Sequence, residues 1–444
     1  MKPYQIINKN FKTKNIKKVF EEDIRNKPSV GIDGITITTF EKKLDIEMDT
    51  INRKVLNQTY NFSFYKEKLI SKGREKLPRV ISIPTIRDKI VLKSIFNTLS
   101  EIFSAELSNE IVHTTIDNII QDIKSKQYDS YIKLDMENFY PSIEHNILLK
   151  KIKSKTRKKE FISILENAIK QETVHKSSPN KEKYTNKRGV PQGLSISSIL
   201  ASIYLIKLDE MNKNAKEYRY YRYVDDILIL CNNGDIDKIY RNIEEKAKKL
   251  CLTIHPLGKN SNKSDSGSLN DKFYFLGYSY DKDLVSVRDA SKNNLYNSII
   301  NIFSQYKHSK TQNKKLLYWK LNLKITGCKF EDKKYGWLYF FSQINDEQLL
   351  FKLDRFVLNM FKKFDIEYDK KKIKKFVRTY FEILKNRSKT NYIPDFSELS
   401  LQEKRSILED VFNIKGVKDF KIDYIFSKII YKNIKEMERD IQRY

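Results

Sequence analysis

Two adjacent acids, Asp225 and Asp226, stand between the aromatic-rich run Tyr220 to Val224 and the apolar run Ile227 to Leu230, and each run reads as a strand. Buried carboxylates carry a large desolvation cost unless a cation compensates them. A tight turn that presents both acids to a bound metal removes that cost, and for this pair alone a hairpin turn with solvated acids does so equally. Upstream, Tyr131 to Leu134 forms another short apolar run that ends in Asp135, followed by Met136, the aromatics Phe139 and Tyr140, and Pro141, which can open a helix. A third carboxylate thus becomes available at a strand end. Between these segments, Arg188 to Ser198 is a Gly/Pro loop containing Gly189, Pro191, Gln192 and Gly193. It runs into a small-residue helix through Ile199, Leu200, Ala201 and Tyr204. Such a loop lets the backbone approach a bulky ligand, although by itself it is also an ordinary helix start.

In this order the three segments resemble motifs A, B and C of a reverse transcriptase: an acid followed by two aromatics, then Pro191-Gln192-Gly193, then Tyr223-Val224-Asp225-Asp226. Phe275-Leu276-Gly277-Tyr278 resembles the primer-grip strand turn, and Gly31-Ile32-Asp33-Gly34-Ile35 resembles the N-terminal extension of group II intron-type enzymes. The resemblance covers about Val30 to Val287 and implies an α+β right-hand polymerase. That fold has fingers, a palm whose antiparallel sheet carries the Tyr-x-Asp-Asp hairpin, an α-helical thumb, and here a helical C-terminal extension.

The chemistry implied is nucleotidyl transfer, an in-line displacement at phosphorus. Two divalent ions roughly 3.5–4 Å apart can activate the attacking hydroxyl and stabilise the leaving pyrophosphate. Hard Mg²⁺ takes oxygen ligands, so two Mg²⁺ ions are expected, with Mn²⁺ as a substitute. By resemblance Asp135 and Asp225 bridge the ions, the Met136 carbonyl is a further ligand, and Asp226 adds field and coordination. Tyr140 falls at the steric gate that excludes a 2′-hydroxyl, which implies dNTP use. Gln192 and Gly193 match the loop against nucleotide and template. Tyr223 and the turn Phe275, Leu276 and Gly277 match contacts to primer and template, while a plain core role for Tyr140 or Tyr223 stays open.

Before motif A, Asn61 to Leu69 and Leu77 to Ile83 alternate as strands around Ser71 to Lys76, and Pro84-Thr85 opens an amphipathic helix. This is similar to a fingers hairpin. Cations on such a lid neutralise triphosphate charge, and the family pattern points to Arg79 and Arg87. A solvated basic hairpin is the alternative. Lys259 or Lys263 resembles the motif D lysine thought to protonate pyrophosphate, with the register between them open and plain solvated loop lysines as the alternative.

Composition agrees on the class of partner. Lys+Arg number 85 against 57 Asp+Glu, a net of +28, which favours a polyphosphate partner through counterion release. The 27 Tyr and 25 Phe supply stacking surfaces as well as core. At 444 residues the chain can form two or three subdomains. No long uncharged apolar run predicts a membrane span, residues 1–15 lack an apolar signal core, and the 3 Cys are too scattered for disulfides or zinc, so a cytoplasmic location is expected. The expected segments are an N-terminal extension with fingers over 1–128, a palm over 129–288, a thumb over 289–395 and a helical extension over 396–444. From Asp289 onward the pattern is almost wholly helical, with amphipathic helices over Leu349 to Phe361 and Ile422 to Ile441.

No Cys pair or His cluster marks an appended endonuclease, and no acid constellation marks an RNase H domain. The stretch Leu323 to Cys328 followed by Tyr335 to Asp346 is similar to one in stand-alone bacterial reverse transcriptases of defence systems, with a packed thumb turn as the alternative, while the retron Asn-Ala-x-x-His signature is missing. These resemblances imply a polymerase that makes DNA from dNTPs on an RNA template. That template is expected to be an associated non-coding RNA in antiphage defence. Group II intron or retron-type activity, protein-primed or template-independent synthesis, and a non-enzymatic RNA-binding scaffold are the alternatives. The oligomeric state is left open.

Overall fold

The computed structural model describes residues 1–26, 29–71, 77–107, 111–177, 186–258, 263–386 and 390–441. Lys259 and residues 72–76, where the tip of the fingers hairpin is expected, therefore lie outside the described residues. The chain packs as two compact units, one of residues 1–110 and 130–267, the other of residues 111–129 and 268–444.

In the first unit, β1 (Tyr65–Ile70) pairs antiparallel with β2 (Arg79–Ile83). The expected first strand begins four residues late, and the reason is Asp88. Its carboxylate accepts from the Ser63 amide at 3.2 Å and the Tyr60 hydroxyl at 2.7 Å, so the backbone before Tyr65 is committed to a side chain instead of a ladder. Thr85 caps helix Ile86–Ile102 by accepting from the Asp88 amide, as the Pro84-Thr85 signal predicts. The central sheet contains β3 (Ser130–Asp135), β5 (Arg219–Tyr223), β6 (Asp226–Cys231) and β7 (Asp265–Ser268) in the order β5-β6-β3-β7. The short β4 (Thr173–Val174) instead joins β1 in parallel. Ile132, Leu134, Ile227 and Ile229 are fully buried in one core with residues of helices Ser197–Lys213 and Ile236–Lys248, and Leu228 and Leu230 between them are fully buried too, which is why β6 reads as continuously apolar.

In the second unit, β8 (Phe273–Phe275), β9 (Tyr278–Asp281) and β10 (Leu284–Val287) form an antiparallel meander. The β8–β9 turn at Leu276 and Gly277 takes positive φ at both residues, 48° and 80°. Helices follow, including Asp289–Lys307, Lys314–Thr326, Glu347–Lys363 and Asp419–Met437. The α+β class therefore holds, with antiparallel sheets and a helical C-terminal part. No described helix is long and apolar enough to cross a membrane.

One exception to the helical expectation is a hairpin of β11 (Cys328–Phe330) and β12 (Lys333–Tyr335), which turns at Glu331 and Asp332 with φ of 48° and 58°. Gly327 and Gly336 bracket it. Gly327 takes φ +65° and ψ −162°, a region essentially restricted to glycine, and a Cβ there would stand 2.1 Å from the Tyr335 carbonyl oxygen. Gly327→Ala is expected to destabilise the protein by about 2 kcal/mol or more, read as a lowered urea midpoint. An unchanged midpoint would mean that the hairpin is not held this way.

Candidate active site

Asp135 ends β3, and the antiparallel register places it directly opposite Asp226, the first residue of β6. Residues so paired have Cβ atoms about 5 Å apart, and like charges there are destabilising. Asp225 lies in the two-residue loop between β5 and β6. Burial first, then the neighbouring acids Asp225 and Asp135, pushes the Asp226 carboxyl up to about 6. Burial also raises Asp225, and Asp135 adds to that rise. The structure thus brings the three predicted acids together at one end of the sheet.

The loop is strained. Val224, its first residue, takes φ +57°, where glycine is usual and a β-branched residue is an outlier. Arg222 braces it: Nη1 donates to the Val224 carbonyl at 2.8 Å while Nε donates to Asp209 at 2.7 Å, and Nη2 grips the other Asp209 oxygen. Asp209 lies on the helix that leaves the Pro-Gln-Gly loop, so this half-buried pair fixes the acid hairpin to that helix. The Tyr220 hydroxyl also donates to Asp209, at 3.1 Å.

Cations offset part of the acids' repulsion. Lys263 Nζ is ion-paired with Asp135 Oδ2, and Arg79 lowers the carboxyl of Asp225. The Asp135 amide is hydrogen-bonded to Ser264 Oγ at 3.2 Å. His255 places Nδ1 3.1 Å from Glu137 and Nε2 3.7 Å from Asp135. Both His255 and the Arg222–Asp209 pair escape sequence reasoning. The histidine stands alone in the chain and reaches the site only through the bridge between Met136 and Ile254.

Tyr140 sits on the short helix Phe139–Ser142 after β3. Its hydroxyl is pushed up to about 12, by burial and then by the charge of Asp225. Its carbonyl accepts from the Val190 amide at 2.9 Å, and Gly189 N–H donates to the Ile143 carbonyl at 2.8 Å, so the loop after Arg188 is stitched to the segment after Asp135. Farther along, the Gln192 carbonyl accepts from the Ser82 amide of β2 at 2.7 Å. Gly193 (φ +96°) presses so close to β2 that a Cβ would meet Ile81 Cγ2 at 2.6 Å. Met136 is buried beside Asp135, and Tyr223 is 48 % exposed opposite Asp226. Arg87 is not among the groups acting on these acids. Its Nε and Nη2 are held by the two Glu47 oxygens at 2.6 and 2.7 Å. Phe275, Leu276 and Gly277 form the β8–β9 turn in the other unit.

Among the described residues no trio of His, Cys, Asp or Glu side chains encloses an ion unaided. The donor chemistry nonetheless fits a hard divalent cation. Carboxylates raised by burial and mutual repulsion are relieved by such an ion, and Mg²⁺ characteristically takes only one or two carboxylates and completes its shell with water and phosphate oxygens.

Residues 70–280 match the family model described as Reverse transcriptase (RNA-dependent DNA polymerase). Residues 70–280 thus carry a reverse transcriptase domain, the domain type described as an RNA-dependent DNA polymerase. The chain is 23% identical over 291 residues to Protein YkfC of Escherichia coli, covering 56% of this chain and 74% of that protein. It is 26% identical over 290 residues to the Putative COX1/OXI3 intron 2 protein of Saccharomyces cerevisiae, covering 62% of this chain and 32% of that one. A 30% match over 210 residues to the Uncharacterized 91 kDa protein in cob intron of Schizosaccharomyces pombe covers 44% of this chain and 25% of that protein. The chain thus spans about a quarter to a third of the intron proteins it matches. Telomerase from Candida albicans, solved with a TWJ fragment of telomeric RNA, aligns with a TM-score of 0.42 at 15% identity over 87% of this chain and 64% of that one.

Two outcomes are expected. The folded chain holds the Asp226 proton up to about 6, against 3.8 for the ordinary carboxyl, so between these values it binds that proton more tightly than the unfolded chain. The ionised carboxylate therefore costs stability, fully at pH 7.5 and progressively less as pH falls through 6 toward 4. Without divalent ions, Asp226→Asn should be more stable by roughly 1–3 kcal/mol at pH 7.5 and by almost nothing near pH 4, read by urea unfolding. A gain independent of pH would contradict the electrostatic account. Arg222→Ala should cost roughly 1–3 kcal/mol, because it strands the half-buried Asp209, and Asp209→Asn in the same chain should recover part of that loss. Strictly additive losses in the double variant would rule out the clamp.

Proposed function

We propose that this protein synthesises DNA from dNTPs on an RNA template, with Asp135, Asp225 and Asp226 as the ligands of two divalent ions, Mg²⁺ or in its place Mn²⁺. The observation that carries this reading is the placement of Asp226 opposite Asp135 with Asp225 in the adjoining turn, an arrangement that opposes stability and has a use only if positive charge arrives with the substrate. When bound, the ions supply activation of the primer hydroxyl and neutralisation of the leaving pyrophosphate. The chain's own residues do the rest. Asp135, Asp225 and Asp226, with the Met136 carbonyl, hold the charge at a fixed place. Tyr140 packs against the sugar of the incoming nucleotide and leaves no room for a 2′-hydroxyl.

Arg79 and Arg87 serve the triphosphate in this reading, with Glu47 releasing Arg87 when an anion competes for it. Gln192 and Gly193 support the base, Tyr223 and the Phe275-Leu276-Gly277 turn contact primer and template, and Lys263 is placed to pass a proton to pyrophosphate. We assign fingers to 1–128, palm to 129–288, thumb to 289–395 and an extension to 396–444.

The finer reading, antiphage defence with an associated non-coding RNA as template in the cytoplasm, is supported by the resemblance of Leu323 to Asp346 to defence-associated enzymes. Intron mobility is the second reading, favoured by the names of the fungal relatives. Sequencing the RNA that copurifies with the protein separates them, since a self-splicing intron would exclude the defence reading. For the chemistry, Asp225→Asn with Asp226→Asn should reduce dNTP incorporation on a primed RNA template by roughly a hundredfold or more while RNA binding persists. Undiminished synthesis would refute the site.

A further inference from the structure

We infer that the solvent face of the C-terminal helix Asp419–Met437 binds single-stranded RNA. Its inner face is ordinary core: Ile422, Phe426, Ile430, Ile434 and Met437 pack with Phe396 and Leu408. Its outer face is not. Phe420 and Tyr424, one turn apart, are 76 % and 65 % exposed, a costly display of aromatic surface for a helix that already has a full apolar side.

Beside the rings run Lys421, Lys428, Lys432, Lys435 and Arg439, all exposed and none in an ion pair with a described residue. At 100° per residue, the six of these positions on the helix, 420 to 435, fall within about a third of its circumference over a length of roughly 23 Å, and Arg439 follows in the turn Glu438–Asp440. The acids that border the stripe on one side are paired from the neighbouring helix Leu401–Asp410: Lys404 holds Asp423 at 2.8 Å, and Arg405 holds Asp419. Lys421 Nζ stands 5.5 Å from the centre of the Phe420 ring, and Lys428 Nζ 6.0 Å from that of Tyr424, so each ring has a cation beside it.

Exposed rings about 6 Å apart along the axis, each flanked by an ammonium, form the combination that stacks unpaired bases and neutralises their phosphates. A protein partner would need apolar area without five uncompensated cations, and a duplex would need no stacking rings. At the far end of the stripe, Arg439 borders a cavity of about 260 Å³ whose lining includes Asn294, Asn297, Asn301, Gln305 and Lys320. Amide side chains both donate and accept, which suits base edges and the ribose 2′-hydroxyl and favours RNA over DNA. Only that choice of RNA leans on the polymerase reading; the surface itself does not.

The test uses the full-length protein, binding measured by fluorescence anisotropy to a labelled U20 RNA, a dT20 DNA and an RNA duplex, and dNTP incorporation measured separately. Phe420→Ala with Tyr424→Ala should weaken U20 binding by about tenfold or more and leave duplex binding unchanged. Lys421→Ala with Lys428→Ala should flatten the salt dependence of U20 binding by roughly one phosphate contact or more. Thermal melting confirms that the variants fold, and if the aromatic pair melts early, Phe420→Leu with Tyr424→Leu replaces it.

Unchanged U20 affinity in folded variants of both kinds would overturn the proposal. An equal loss with dT20 would overturn the assignment to RNA, and a change of oligomeric state in the aromatic variant would reassign the face to a second copy of the chain. Because binding and incorporation are read independently, a polymerase that fails to incorporate can still pass this test.

Discussion

Everything in the first unit is arranged around a repulsion. Asp135 and Asp226 face each other across an antiparallel ladder, with Asp225 one residue away in a loop whose first member, Val224, takes a backbone conformation unsuited to a β-branched side chain. Each feature opposes folding on its own. They persist because the strands behind them are anchored in an apolar interior in which Ile132, Leu134 and Ile227 to Leu230 are fully buried. The sheet cannot relax the acids apart without slipping register, and a slip of one residue would exchange the side chains packed on its two faces. Rigidity of the core is what allows a charged, strained end.

The polar attachments follow from that requirement. Arg222 satisfies a loop carbonyl and a half-buried carboxylate at once, so the hairpin is tied to the helix after the Pro-Gln-Gly loop. That loop in turn receives the Ser82 amide from β2, and Gly193 lies where any side chain would collide with Ile81. Three stretches far apart in the chain are thereby stitched together, by the Arg222 and Asp209 side chains at one joint and a backbone hydrogen bond at the other, as a site needs if its geometry is to survive binding of a large anion. Lys263 on Asp135 acts differently, as a cation from a segment bordering undescribed residues that stands in part for the charge a metal would bring.

What was legible in the sequence was local. The acids could be placed at strand ends because apolar runs of the right length flank them, and helix Ile86–Ile102 announced itself through Pro84 and Thr85. What was not legible depends on partners distant along the chain. Asp88 looks like any first-turn acid until Tyr60 and Ser63 are seen on it, and His255 looks solitary until β3 runs beside Ile254. The β11–β12 hairpin was missed for another reason. Its strands are three residues each, too short to show alternation, and its turn uses Glu331 and Asp332 where Asn-Gly would have signalled it.

The same distinction bears on whether the chain is a polymerase or a scaffold shaped like one. A protein that only held RNA would gain from replacing Asp226 by a neutral residue, since its charge repels both its neighbours and the ligand's phosphates. Charge elsewhere follows that logic: of the acids on the C-terminal helix's outer turn, Asp419 and Asp423 are paired off by Arg405 and Lys404. At the end of the central sheet the balance runs the other way. Three carboxylates stay clustered, and Arg79 and Lys263 offset them incompletely, since Asp226 is still pushed up to about 6. Retained repulsion in a chain of net charge +28, with lysines at hand to quench it, is best accounted for by a cation that comes and goes with the substrate.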